Sequence, residues 1–207
     1  MYQPLPAFPT SITQLTALSL PSAVREKFLE SRILSALKPI ILRSNHPRTL
    51  IQMSIQIVQS ADEDSNSAMM LLSPALNAAS LALMDAGVPL KCMLSSTTIA
   101  LIGSNVVIHP GVKDVKRADS VHVFAFGLVR WFDSGRSFKK GMELAFLESQ
   151  GRFDIEDLET IGELAKNLCS WKEQEDMLLE GSEGERIGEL MQEWVREKIE
   201  RDLRYRE

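Results

Sequence analysis

Cysteine, histidine and aromatic residues are scarce in this chain of 207 residues, and their scarcity excludes several kinds of site. Two cysteines, Cys92 and Cys169, cannot build a disulfide framework, which favours a reducing compartment. The three histidines lack the spacing to one another or to cysteine that a zinc site needs. Aromatic residues make up 6% of the chain and are not interleaved with basic clusters, as a base-stacking surface would require.

Motifs of nucleotide and acyl-transfer chemistry are also missing. The chain contains no Gly-x-Ser-x-Gly nucleophile turn and no glycine-rich phosphate loop with a following lysine. No continuous apolar run reaches the roughly 18 residues of a membrane span, so the sequence predicts no membrane partner. The 23 basic and 28 acidic residues give a net charge of −5, which disfavours a protein that holds nucleic acid alone on a broad basic face.

The first half of the chain predicts two helices with a strand between them, preceded by one short strand candidate at Ile12–Leu18. Apolar residues at three- and four-residue steps predict a helix from Pro21 to about Leu37 or Ile41, which Pro39 kinks or ends. Alternating apolar and polar residues predict a strand over Thr49–Val58. Ser73 and Pro74 predict the start of a second helix, which ends at Gly87.

The second half predicts a group of strands followed by helices. The predicted strands are Cys92–Ile102, Asn105–Ile108 and Ser120–Trp131, with a weaker one at Met142–Leu147. Helices follow from Asp154 and from about Glu185. This order predicts one α+β domain with a helical tail. His122 falls in a strand, where we expect a packed residue rather than a ligand, and Asp62–Glu63–Asp64 favours a solvated loop over an ion site.

One segment resembles a known family. His46-Pro47-Arg48-Thr49 precedes the predicted strand, and Asn77-Ala78-Ala79 with Asp85-Ala86-Gly87-Val88-Pro89 marks the helix after it. These motifs resemble the RNase PH domain family, and within it the ring subunits of the eukaryotic RNA exosome. The resemblance implies an RNase PH-like (ribosomal protein S5 domain 2-like) mixed sheet with packed helices. It divides the chain into a divergent segment 1–19, the domain 20–180 and a charged helical tail 181–207. Because the family has further strands before this helix, the resemblance also implies an N-terminally incomplete sheet, from a truncated start or a shortened isoform.

The same resemblance implies loss of catalysis. Phosphorolytic members carry a phosphate-binding arginine at the start of this helix, where Leu72 stands, and a leucine cannot make charge-assisted bonds to phosphate. Their aspartates after the next hairpin correspond to Val107, His109 and Lys113. Without those carboxylates no general acid and no metal site remain, so we expect no catalytic residue, metal or cofactor.

The resemblance therefore implies a non-catalytic structural subunit of the exosome core ring, supporting 3′–5′ RNA processing and degradation. Its expected partners are other RNase PH-like ring subunits, RNA-binding cap subunits and RNA in the assembled channel. Its expected location is the nucleus, including the nucleolus, and the cytoplasm. Arg48 is the first candidate for RNA contact, followed by Arg43 and Lys113. For each of them, the alternative is a structural or solvated cation. Two alternatives remain open: an active phosphate-dependent 3′–5′ exoribonuclease, and an α+β interaction adaptor unrelated to RNA.

Overall fold

The computed structural model describes residues 23–57, 67–132, 138–170 and 187–204. The predicted strand at Ile12–Leu18, the segment 1–19, the acidic loop at 62–64 and the boundary between 180 and 181 lie outside the described residues. The elements, in chain order, are helix α1 (Ala23–Leu37), a 3₁₀ turn (Arg43–Asn45), helix α2 (Ser67–Asp85), strands β1 (Met93–Ile102) and β2 (Asn105–Ile108), helix α3 (Val112–Arg117), strands β3 (Ser120–Phe132) and β4 (Phe138–Gly151), and helices α4 (Ile155–Cys169) and α5 (Ile187–Arg204).

The four strands form one antiparallel sheet in the order β2-β1-β3-β4. The β1–β2 hairpin turns at Gly103 and Ser104, as predicted, with Ile102 opposite Asn105. Strand β4 is much longer than the weak pattern at Met142–Leu147 indicated, because its pairing with β3 continues from Phe138 to Gly151. The α+β class predicted from the order of elements is confirmed.

Hydrophobic cores lie on both faces of the sheet. On one face, helices α1 and α2 bury Ile33, Leu72 and Leu76 against Leu94 and Val123. On the other face, α4 packs on alternate residues of the same strands, and the members of this second core are Ile99, Leu101, Phe124, Phe126, Ile161, Ala165, Leu168 and Cys169. Successive side chains of a strand point to opposite faces, which is why β1 and β3 contribute to both cores. The sheet is therefore a central layer.

Helix α2 corrects two predictions. It begins at Ser67, so Pro74 lies inside the helix and Ser73 is a buried residue rather than the N-cap. Burial of Ala68 and Met69 in the core extends the helix beyond the local start signal.

The segment Ala68–Asp85 of α2 is also long and apolar enough to cross a membrane, with a mean hydropathy of 1.3, although the sequence predicted no such span. A core helix passes the same test, and α2 packs on the sheet.

The segment from Thr49 to Ile57 is not a paired strand, so the strand prediction there was wrong. The predicted alternation of faces holds only in part: Met53 is buried and Ile51 and Ile55 pack against the first core, whereas Gln52 and Ser54 are exposed. It fails at Ile57, which is exposed. Alternation records which face is buried, but strand assignment also needs backbone hydrogen bonds to a neighbouring strand. Among the residues that the structure describes, this segment has no such neighbour.

Candidate functional site: the contact between helix α2 and strand β1

Polar side chains of α2 are hydrogen-bonded to the backbone of β1. The Ser96 amide donates to Asn77 Oδ1 at 2.7 Å, and Asn77 Nδ2 donates to the Ser96 carbonyl at 2.9 Å. The Leu94 amide donates to Ser80 Oγ at 3.1 Å. Ser96 Oγ lies 2.9 Å from both Asn77 Oδ1 and the Ser73 carbonyl, and its single proton serves one acceptor at a time.

These bonds provide partners for backbone groups along one edge of β1. Strand β2 pairs only with residues 99–102 of β1, whereas β3 pairs along residues 93–101. The amides of Leu94 and Ser96 therefore lie beyond the end of β2, and a buried amide without a partner is costly. Asn77 and Ser80 supply the partners that a neighbouring strand would otherwise provide. Asn77, recognised in the sequence as part of a family motif, therefore has a structural role here.

Leu72 lies directly before this polar contact and is a core residue. Its side chain is fully buried, and it belongs to the core formed by α1, α2 and the sheet. The preceding Met69 is buried in the same core. A hydrocarbon side chain in this environment provides no donor for an anion. The position that the resemblance assigns to a phosphate-binding arginine is filled by apolar packing.

The three positions that the resemblance assigns to carboxylates lie around β2 and α3. Val107 is half-buried on β2, His109 is exposed immediately after it, and Lys113 is exposed on α3. His109 has a positive φ of 51°, and its amide donates to the Thr98 carbonyl at 3.0 Å. That bond brings the turn after β2 against β1, two residues beyond Ser96. None of the three side chains is a carboxylate, and partial desolvation of the otherwise exposed ring lowers the pKa of His109.

The other two RNA-contact candidates lie at a different place, between α1 and the extended segment. Arg43 begins the 3₁₀ turn and Arg48 follows Pro47, and both side chains are exposed. Arg48 has a left-handed backbone, with φ of 61°. No hydrogen bond or ion pair of the described residues joins either arginine to Lys113. Arg43 and Arg48 lie in the segment between α1 and α2, whereas Lys113 lies on α3, between β2 and β3.

His122 forms a polar cluster that the sequence did not reveal. His122 Nε2 lies 2.9 Å from Ser120 Oγ, and His122 Nδ1 lies 2.9 Å from Ser149 Oγ. The ring is fully buried, with Phe153 edge-on at 4.7 Å between ring centroids. Burial lowers the pKa of His122, and the charge of Asp157 partly opposes that shift. The prediction of a packed histidine is confirmed, and the residue holds β4 to β3 in the neutral state.

The cysteines are poor nucleophiles. Burial raises the pKa of Cys169 to about 12, against a smaller opposite effect of the Ser95 hydroxyl. Burial also raises the pKa of Cys92, where the charge of Lys91 acts in the opposite direction. A thiol reacts as its thiolate, so neither residue is activated at neutral pH. Within the described parts of the chain, no three His, Cys, Asp or Glu side chains gather as a metal site.

Comparison with known proteins supports the resemblance read from the sequence. Residues 19–89 match the family model described as 3′ exoribonuclease family, domain 1, RNase PH. This segment includes α1, the 3₁₀ turn that begins at Arg43, the following Arg48, and α2 with its Asn77 motif. The match and the relatives below confirm the resemblance to the RNase PH domain family.

The similar curated proteins are exosome components. The chain is 34% identical over 150 residues to the exosome complex component RRP46 of Saccharomyces cerevisiae, covering 72% of this chain and 65% of that protein. It is 32% identical over 131 residues to the exosome complex component Rrp41 of Archaeoglobus fulgidus, covering 63% of this chain and 45% of the relative. The chain thus spans less than two thirds of either relative.

A solved structure supports the fold. The crystal structure of rice (Oryza sativa) Rrp46 superposes with a TM-score of 0.55, covering 73% of this chain and 64% of the rice chain. Sequence identity in this comparison is 19%, so it supports the architecture alone. The RNase PH-like arrangement expected from the motifs is confirmed.

Proposed function

We propose that this chain is a non-catalytic subunit of the exosome core ring, which supports 3′–5′ RNA processing and degradation as a scaffold and as part of the RNA path. The observation that carries the proposal is its similarity to RRP46 of S. cerevisiae over 150 residues. The proposed partners are other RNase PH-like ring subunits, RNA-binding cap subunits and RNA in the assembled channel. The proposed location is the nucleus, including the nucleolus, and the cytoplasm.

Burial of Leu72 supports the absence of phosphorolysis. An enzyme that uses inorganic phosphate needs cationic donors at the attacking anion, and this position contributes to a hydrocarbon core instead. Val107, His109 and Lys113 supply no carboxylate to protonate the leaving oxygen. Both halves of the required chemistry are replaced in the same chain.

Affinity purification of the tagged full chain from its native cells, followed by mass spectrometry, tests the assembly. We expect RNase PH-like ring subunits and cap subunits in stoichiometric amounts. A tagged variant with Leu72→Arg, which places an unpaired charge in the core, provides a misfolded control. Recovery of no ring subunit with the wild-type chain would contradict the proposal and favour an unrelated adaptor.

A phosphorolysis assay tests the inactivity. The purified chain, incubated with single-stranded RNA and inorganic phosphate, should release no nucleoside diphosphate. Leu72→Arg should not create activity, because the charge is buried and the free energy of unfolding should fall by about 3 kcal/mol or more. Leu50→Arg is the matched control, since Leu50 is 60% exposed and its replacement should leave stability nearly unchanged. Phosphate-dependent release of diphosphates by the wild-type chain would establish an active exoribonuclease instead.

A further inference from the structure

Helix α5 contacts β1, α4 and α2 but buries few apolar side chains. Met191 is buried, whereas the apolar side chains of Leu190, Ile199 and Leu203 are each about half exposed. In α4, by contrast, four residues are buried together in the second core. Burial of apolar surface is the main favourable contribution to packing, so α5 is held on the domain less firmly than α4.

The start of α5 rests directly on the end of α4. A Cβ built on Gly188 would fall on the carbonyl oxygen of Cys169 and would lie 3.0 Å from that of Ser170. Glycine, which has no Cβ, allows the two backbones to approach so closely. Gly188 is itself buried, so this contact is the first of two places at which α5 is attached.

An ion pair provides the second attachment. Lys198 Nζ lies 2.5 Å from a carboxylate oxygen of Asp85, the last residue of α2, and 3.6 Å from one of Asp202 within α5. Among the described ion pairs, the one with Asp85 joins α5 to another element. Its members are partly exposed, so the attraction is modest. Beyond this pair, residues 199–204 are all exposed.

The part of the sheet next to the first attachment is polar and contains a thiol. Cys169 is fully buried; burial raises its pKa to about 12, and the neighbouring Ser95 hydroxyl opposes that shift. Thr97, two residues further along the same face of β1, is also fully buried, and its hydroxyl has no hydrogen-bond partner among the described residues. A buried hydroxyl without a partner gains a hydrogen bond when water reaches it. Polar groups therefore weaken the packing at this place.

We propose that α5 is a detachable strap, which leaves β1 and α4 as a unit while the rest of the domain stays folded and thereby opens the Cys169 thiol to solvent. Contact with water removes the burial that suppresses ionisation of the thiol, so detachment both uncovers and activates it. The strap therefore controls the reactivity of Cys169. This inference does not depend on the proposed function.

Pulsed labelling of the full chain with N-ethylmaleimide, read at each cysteine by peptide mass spectrometry, tests the strap. The thiolate sulfur adds to the maleimide double bond and the adduct takes a proton from water, so labelling needs an accessible and ionised thiol. Cys92, which packs against Gly127 of β3, is the internal reference. Below the urea concentrations that unfold the domain, the labelling rate of Cys169 should rise with less than about a third of the slope of global unfolding, because detaching one helix exposes little surface.

Gly188→Ala should detach the strap. Its Cβ would collide with the Cys169 carbonyl, so we expect Cys169 to be labelled at least about tenfold faster. Alanine favours a helix more than glycine does, so α5 should remain helical. Gly162→Ala is the matched control in α4, because a Cβ there would meet Phe124 at an ordinary distance of 3.6 Å. Its labelling rate should stay within about twofold of that of the wild type.

Asp85→Asn tests the second attachment without adding any bulk. It removes the ion pair with Lys198, so labelling of Cys169 should become about two- to threefold faster at low salt. The free energy of unfolding of the rest of the domain should not fall, because a negative charge at the C-terminus of α2 is itself unfavourable. Asp202→Asn is the matched control, since its carboxylate contacts Lys198 within α5 and should leave the labelling rate nearly unchanged.

Three results would overturn the proposal. In the first, labelling of Cys169 follows urea with the slope of global unfolding, which means that α5 leaves only when the whole domain unfolds. In the second, Gly188→Ala and Gly162→Ala label Cys169 at the same rate, which means that α5 does not cover the thiol. In the third, Asp85→Asn labels no faster than Asp202→Asn, which means that α2 does not hold the strap. Recovery of ring subunits tests the proposed function separately and is not affected by any of these results.

Discussion

Gly151 occupies a position that no other residue fits. It ends β4 with a φ of 109°, and a Cβ built there would fall on the carbonyl oxygen of Asp119, which already accepts the Arg152 amide at 2.9 Å. Neither the backbone conformation nor the space allows a side chain. We expect Gly151→Ala to lower the free energy of unfolding by about 2–4 kcal/mol, measured by urea denaturation.

The matched control is Gly103→Ala in the β1–β2 hairpin. Gly103 also has a positive φ, of 60°, but a Cβ there would have no neighbour within 4 Å. Only the conformational cost remains, about 1 kcal/mol. Equal losses for the two variants would show that the close approach of Asp119 is unimportant.

His122 makes stability depend on pH near neutrality. Because burial lowers its pKa in the folded state, the unfolded chain takes up a proton first as pH falls below about 6.5. The contribution of neutral His122 is therefore complete above that pH and is lost as pH falls towards the folded-state pKa. We expect the loss of stability between pH 7 and pH 5 to be smaller in His122→Gln. Because partial desolvation also lowers the pKa of His109, His109→Gln is the reference variant, and parallel curves for wild type and His122→Gln would refute this expectation.

At the scale of the elements, Asn77 joins α2 to β1. Its side chain exchanges two hydrogen bonds with the backbone of Ser96, a fully buried residue. Asn77→Ala removes both and leaves a buried amide and carbonyl without these partners. We expect a loss of about 3 kcal/mol in the free energy of unfolding, and faster hydrogen exchange of the Ser96 amide.

Asn167→Ala is the matched control for that prediction. Asn167 is an exposed asparagine on α4, where its backbone carbonyl accepts the Ser170 hydroxyl at 2.9 Å and survives the substitution. Loss of the Asn167 side chain should therefore change the free energy of unfolding only slightly. A comparable loss in both variants would mean that helix propensity, and not the contact with β1, explains the effect of Asn77→Ala.

Local sequence patterns predicted most helices and strands, but not the features that depend on contacts with residues distant in the sequence. Helical periodicity predicted α1 and α4, and the turn at Gly103 predicted the first hairpin, because these signals lie within the element itself. The start of α2 was missed because burial of Ala68 and Met69 depends on α1 and the sheet. The segment from Thr49 to Ile57 has the alternation of a strand, yet pairing depends on a neighbour that alternation does not specify.

For the molecule as a whole, the candidate functional positions came from the resemblance and not from local patterns. Leu72 stands where the resemblance implies a phosphate-binding arginine, and the structure places it in the hydrophobic core. The proximity of Lys91 to Arg43 was not predictable, because almost fifty residues separate them and only the bridge between Ile41 and Leu90 brings them together. The contact between Ser149 and His122 was likewise not predictable, because the two residues lie on different strands.

The two-sided sheet also imposes an order on synthesis. Phe124 and Phe126 of β3 are buried beneath α4, which follows them in the chain. At about 5–20 residues per second, a ribosome needs several seconds to produce β4 and α4 after β3. During that interval an aromatic face of the nascent sheet is open to solvent while α1 and α2 are already available to cover the other face. Chaperone capture of ribosome-bound chains should therefore be strongest for nascent chains that end between β3 and α4.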